Sequence, residues 1–425
     1  MNAKLLVAVL PALAALAAAG SASPRSAARP LRTQVLAHVN PGGGYSADVV
    51  AHRGFAYLSS WHGQQCPSLG VRVYDLKMPT RPVRVATFAD VASEPEVRGS
   101  WTEKTIVRRV HTADFSGDLA VTTFQRCATG GLQGFGLYDV TNPAAPRRLA
   151  IVRTNPRGSH EIWLATARGK AWVYTAIPSS ELLSSPGYDP DRKPRGTTPG
   201  EPDFRIFDVS NPSQPVQVGG WGAWRSLGIN PRDGRGGFSS NFVHSVITNP
   251  AATRAYLSYW DLGTVILDIS NPASPRYLGR TPAVDAEGDA HSSWLMKSGK
   301  VLVETHENAI GRPFFFDISN PRKPQLLSRF GPSGGGNSFT AGVHDPKIVG
   351  NRGYFSWYSR GVLVGNVANP RKPKLIARFT PARSQDPERS FCPGSSCSLI
   401  WGVFPTAKYV LASDIVGGLW VFRLR

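Results

Sequence analysis

Five histidines, His111, His160, His244, His291 and His344, recur at long intervals, and each is read as opening a short apolar segment. Imidazole changes charge near neutral pH and is a common ligand of transition metals, so imidazoles at one register of a repeat suit a metal or an anionic ligand. The competing reading is architectural: a residue repeated at one register often makes one repeated hydrogen bond. A second concentration lies in DAEGDAH, where Asp285, Glu287, Asp289 and His291 alternate, and in VETH, which sets Glu304 and His306 where equivalent segments carry small or aromatic residues. Carboxylates suit calcium and imidazoles a transition metal. The expected ligands of a divalent metal, transition metal or calcium, are therefore His111, His160, His244, His291, His306, His344, Glu304 and Asp289. Asp189 and Asp191, in a long insertion, are a further calcium candidate, and a solvated acidic loop is the alternative to both.

Trp101, Trp221 and Trp224 fall in insertions, where an indole can stack on a sugar or another planar ligand or simply pin the loop. Trp61 and Trp260 recur in register and are expected to pack between repeats. No catalytic residue is expected. GPSGG, from Gly331, matches GxSxG only in form, because it sits in a glycine-rich loop and not at a strand-to-helix elbow. The sequence has no phosphate-binding loop, HExxH or dinucleotide signature. Of the four cysteines, Cys392 and Cys397 bracket a Pro-Gly turn, and Cys66 and Cys127 hold equivalent places in neighbouring repeats, so two disulfides are expected. Without CxxC spacing, zinc is disfavoured.

The elements that must position these residues are visible as a repeat. YDLKMPTRP, YDVTNPAAP, FDVSNPSQP, LDISNPASP, FDISNPRKP and GNVANPRKP are anchored at Asp75, Asp139, Asp208, Asp268, Asp317 and Asn366. Their intervals, about 50 to 70 residues, fit a unit of roughly 40 to 50 residues with insertions. Each unit reads as four short strands, for example HSVITN, RAYLSYW, GTVILDIS and RYLGRT, with the Asp and Asn-Pro suited to a strand corner. Tandem four-stranded units predict an all-β, seven-bladed β-propeller. The last unit ends at Arg425 without a fourth strand, and PLRTQVLAHVN, residues 30–40, is expected to supply it and close the ring, removing open sheet edges.

On these corners the sequence resembles the LVIVD-repeat family of bacterial and archaeal secreted β-propellers, whose hallmark is DISNPxxP after an apolar strand. The resemblance spans essentially the whole chain beyond its first residues and implies the fold. It implies no catalytic motif.

Composition agrees. Glycine (43) and proline (35) are too frequent for long helices, while 41% hydrophobic against 18% charged residues permits a sizeable core. Residues 1–23 read as a secretory signal peptide, 24–29 as a short linker and 30–425 as one propeller domain. No later segment offers the roughly 20 apolar residues of a membrane span. The expected location is extracytoplasmic, secreted or in the cell wall or periplasm, and the expected state is a monomer. The formal charge of +19 collects on corners and fourth strands, at Arg147, Arg148, Arg153, Arg276, Arg280, Arg322, Lys323, Arg329, Arg371, Lys372, Lys374 and Arg378. There it discourages edge pairing and is suited to an anionic cell-surface polymer, with nucleic acid disfavoured. The long insertions, 89–107, 178–203, 221–240, 331–341 and 381–398, all belong to loops of one propeller face. The expectation is an exported propeller that binds a ligand or protein on that face with a metal's help. Its rival is a copper-type extracytoplasmic oxidoreductase using a histidine cluster at the channel mouth.

Overall fold

A computed structural model describes residues 31–189, 198–332, 339–392 and 394–425. The expected signal peptide and linker, and Asp191, lie outside the described residues.

Each repeat corner is built by its own side chains. Asp139 Oδ1 accepts the Thr141 N–H at 3.0 Å, and Asn142 Oδ1 accepts the Ala144 N–H at 3.1 Å. The same pair of Asx turns recurs at Asp208 and Asn211, Asp268 and Asn271, Asp317 and Asn320, and Asn366 and Asn369. Side chains that bond the backbone two residues on stop a strand locally, so the third strand turns into the fourth at the same place in each unit.

Seven four-stranded antiparallel sheets result. Their innermost strands are Tyr45–His52, Thr105–His111, Ile162–Ala167, Ser245–Thr248, Ala290–Leu295, Pro346–Val349 and Ile400–Pro405 in blades one to seven. The third strands, such as Thr264–Asp268 (TVILD) and Pro313–Asp317 (PFFFD), are buried on both faces, because the adjacent blades cover them. The outermost strands carry a register shift against the third strand in all seven blades. Such bulges increase twist and blunt the outer edge. The twelve arginines and lysines of the corners and fourth strands are all exposed there.

Blade seven takes its fourth strand from the other end of the chain. Thr33–Val39 pairs with Gly418–Leu424, from Thr33 opposite Leu424 to Val39 opposite Leu419, and the ring closes as expected. The two disulfides are Cys66–Cys127, which ties the second-to-third-strand loops of blades one and two, and Cys392–Cys397. Among the described residues no helix is long and apolar enough to cross a membrane.

Glycine opens the third strand in several blades for a steric reason. Gly361 has φ +82°, and a Cβ there would collide with the Phe379 carbonyl; Gly134 stands likewise against Val152. Gly361→Ala is expected to destabilise the protein by about 1–3 kcal/mol from the backbone conformation alone. An unchanged midpoint in chemical denaturation would refute this.

One expected register fails. His111 does not open the inner strand of blade two but ends it, exposed on the opposite face, with Nδ1 against Ser116 Oγ at 3.1 Å. The run TIVRRVH precedes that histidine and is itself the strand. The residue at the expected position is Glu103.

Candidate metal centre at the channel mouth

The inner strands enter the channel from the face of the long loops. Their first inward position holds Ala47, Glu103, His160, His244, His291, His344 and Trp401 in blades one to seven. The next holds Asp48, Lys104, Glu161, Ser245, Ser292, Asp345 and Gly402. The register follows from the pairing with each second strand and from the His160, His244 and His344 N–H groups, which donate to Ala176, Ser258 and Ser356 carbonyls.

The first position forms a chain of imidazoles. His244 Nδ1 lies 3.1 Å from the His291 carbonyl, and His291 Nδ1 lies 2.6 Å from the His344 carbonyl. A carbonyl only accepts, so both Nδ1 atoms carry the proton and both Nε2 atoms keep a lone pair. His160 is oriented differently, its Nδ1 being 2.6 Å from Glu103 Oε2 and its Nε2 2.7 Å from His244 Nε2. Glu307, just past the second strand of blade five, brings Oε2 to 3.5 Å from His291 Nε2, while Tyr358 donates its hydroxyl to Oε1. One donor atom each from His244, His291 and Glu307 lie within 4.8 Å of one another.

The electrostatics suit ligation at neutral pH. Burial, reinforced by neighbouring imidazoles, holds His244 and His291 well below the ordinary histidine range, so both are neutral. His344 is also held down, by burial and then by the Lys104 charge, and its Nδ1 has no hydrogen-bond partner. Burial would lower His160 too, but the Glu103 carboxylate outweighs it and raises the ring. Burial pushes Glu307 up to about 7. A ligating histidine usually donates its other nitrogen to a carbonyl or carboxylate, which fixes tautomer and orientation, and His244 and His291 each have such a partner, whereas His160 donates Nδ1 to Glu103 and Nε2 to His244. Trp260 flanks His244 with ring centroids 5.1 Å apart, and Trp401 flanks His344 at 4.4 Å. The cluster opens toward solvent at His160 and Glu307, whose side chains are 18% and 15% exposed against 1% for His291.

The second position makes a buried charged layer beneath the imidazoles. Lys104 Nζ lies 2.8 Å from Asp48 Oδ2, 3.2 Å from Glu161 Oε2 and 3.3 Å from Asp345 Oδ2, and Lys347 also pairs with Asp345. Gly402 completes the layer with no side chain, and a Cβ there would collide with Asp48 Oδ1.

The remaining expected ligands lie apart from this cluster. His306 donates Nδ1 to Asp285 Oδ2 and Nε2 to Glu304 Oε1, each at 2.8 Å. The other Glu304 oxygen accepts Thr264 N–H, Thr264 Oγ1 and Thr281 Oγ1 at 2.6–2.8 Å, so this group joins blade five to blade four. With both ring nitrogens donating to carboxylates, His306 offers no lone pair to an ion. Asp289 is buried beside Asp261 and pushed up to about 7, first by burial and then by that neighbour; its carbonyl accepts the Glu307 N–H and so positions the ligand.

The tryptophans do not form a stacking platform. Trp221 is buried between blades three and four against Tyr259 and Tyr277. Trp101 is buried against Trp61 and His62. Trp224 is half-buried on a short helix whose N–H groups bond Glu181, and the three rings share no surface. Trp260 and Trp61 pack, as expected, although Trp260 packs on the histidines. Sequence reasoning missed Glu103, Glu307, Tyr358 and the whole charged layer. The HE and HD pairs at His160-Glu161 and His344-Asp345 were the available signal for that layer.

A closed ring of seven four-stranded blades around a lined channel defines the chain as a seven-bladed β-propeller. It carries LVIVD repeats: the LVIVD repeat family matches residues 200–221, the third strand, corner and fourth strand of blade three, and 255–281, the second to fourth strands of blade four. No curated protein matches the chain. Among solved structures it is similar to the computationally designed Ika8 protein, at 10% identity over 91% of this chain and 99% of that one, with a TM-score of 0.50. It is also similar to Chaetomium thermophilum Raptor, at 12% identity with a TM-score of 0.55, covering 93% of this chain but only 29% of Raptor. At these identities the likeness shows the fold alone.

Proposed function

We propose that the chain is an extracytoplasmic binding propeller whose long-loop face captures its ligand through a transition metal held by His244, His291 and Glu307, with His160 at the solvent edge. The observation carrying this reading is the pair of imidazoles, His244 and His291, whose Nδ1 atoms donate to backbone carbonyls while one donor atom of each lies with the Glu307 carboxylate in a group within 4.8 Å. An imidazole-rich donor set favours zinc, copper or nickel over calcium. Two disulfides support an oxidising compartment.

The test is elemental analysis of exported protein purified without chelator, followed by titration of stripped protein with Zn²⁺ and Cu²⁺. About one equivalent in the wild type is expected, with at least tenfold weaker binding in His291→Ala and in Glu307→Gln. Equal affinity in wild type and both variants sinks the proposal. A second reading, the copper-type oxidoreductase, is favoured by the opening at His160 and Glu307, since catalytic sites keep a position free for substrate. Azide added to Cu²⁺-loaded protein would then change the copper spectrum; an unchanged spectrum removes that reading and leaves the metal site standing.

A further inference from the structure

Beyond the charged layer, the channel widens again toward the face of the short turns. The widening is a cavity of about 370 Å³, within the range that holds small ligands. Its walls are the apolar middles and ends of the inner strands, with two indoles, Trp163 and Trp294, 5.8 Å apart and edge to face. Its floor is the charged layer seen from below, where Asp48, Lys104, Glu161 and Asp345 line the cavity. Both carboxylates are at least nine-tenths buried, and each keeps one oxygen, Asp48 Oδ1 and Glu161 Oε1, without a hydrogen-bond partner.

Buried polar atoms are paired in nearly all proteins, so two orphan acceptors at the end of one apolar cavity call for a donor. The positive groups nearby are engaged. Lys104 and Lys347 bond carboxylates, Arg108 donates to the Leu164 carbonyl at 2.6 Å, and Arg108 and Lys347 lie over the faces of Trp163 and Trp294. The unmet demand is therefore for hydrogen-bond donors. Carboxylate torsions are soft, so either group can turn an oxygen toward the cavity.

We propose that this cavity is a second binding site, independent of the metal centre, for a small protonated amine with an apolar or aromatic body, its ammonium on Asp48 and Glu161 and its body against the apolar walls of the inner strands. The hydrophobic walls take the body.

The test uses the full exported protein, phenethylamine as probe and 2-phenylethanol as its uncharged counterpart, followed by calorimetry and by the fluorescence of the lining tryptophans. Phenethylamine is expected to bind with Kd below ~1 mM and at least tenfold more tightly than the alcohol. Asp48→Asn should weaken the amine at least tenfold and leave the alcohol unchanged. Val349 lines the rim and is exposed, so Val349→Trp folds normally and should block both probes; it carries the test if the Asn variant melts early. No binding of phenethylamine, equal binding of amine and alcohol, or unaltered amine affinity in Val349→Trp overturns the proposal.

Discussion

Lys104→Met is expected to cost about 3–5 kcal/mol of folding stability, the range for removing one partner of a buried ionic group. The ammonium is only 7% exposed and touches Asp48, Glu161 and Asp345, from three other blades. Burial alone would lower its pKa, yet the three carboxylates together hold it well above the ordinary lysine range, so the charge is retained. Methionine fills the volume and leaves the carboxylates facing one another with only Lys347 in reach of Asp345. Chemical denaturation at neutral pH measures the loss. Adding Asp48→Asn to the methionine variant should recover part of it, because the second change removes one of the stranded charges. A loss under about 1 kcal/mol would mean that the layer is hydrated enough to stand without its cation.

The His306 group sets a pH dependence of similar size. Burial opposes its charge, but the hydrogen bonds it donates to Asp285 and Glu304 raise its pKa to about 9, against 6.5 for a free histidine. A group raised on folding contributes stability that is fully present below pH 6.5 and is lost as pH rises through 9. The shift corresponds to about 3 kcal/mol. Its partners act in the opposite sense: both carboxyls are held below their ordinary values despite burial, and their contribution is lost as pH falls through those lowered values. His306→Gln should therefore be less stable than wild type at pH 6 by about 3 kcal/mol, and the two curves should converge above pH 9. Parallel curves from pH 6 to 10 would show that His306 is neutral in the folded protein. The comparison must be made between variants, because buried Asp203, raised to about 8 chiefly by burial, also removes stability as pH climbs.

The fold was legible because its punctuation is local. Asp139 and Asn142 bond backbone two residues ahead, so the corner is written in the residues that make it, and five such corners, with a single turn at Asp75, mark the first six blades. The disulfides and ring closure follow from that count. Long-range partnerships leave no such mark. His160, His244, His291 and His344 were found because they repeat, yet what makes them a donor set is Glu307, which sits in a loop outside the register. His111 was misplaced because an apolar run precedes it as well as following it, and periodicity alone does not say which is the inner strand. The tryptophans misled for a related reason: an indole in an insertion looks available until the neighbouring blade, as at Trp221 with Tyr259, is seen to cover it. Lys104 gave no signal at all, since a lone lysine between a glutamate and a threonine is indistinguishable from a surface residue until three other blades converge on it.

The pairing of Thr33–Val39 with Gly418–Leu424 makes the beginning and end of the described chain share one seam. A strand near the start of the chain must wait, unpaired on that edge, until nearly the last residues are free to meet it. Six blades can in principle assemble in turn as the chain emerges, since their strands are neighbours in sequence, but the seventh joins segments almost four hundred residues apart and must come late. Until then the ring is an open arc: the imidazole cluster lies in blades three to six, which are neighbours in sequence, whereas the charged layer joins blades one, two and three to blade six across the gap that blade seven must fill. The charged layer should therefore come into being at the moment the seam shuts, and a proteolytic cut that releases either end should disrupt it before it disturbs the imidazole cluster.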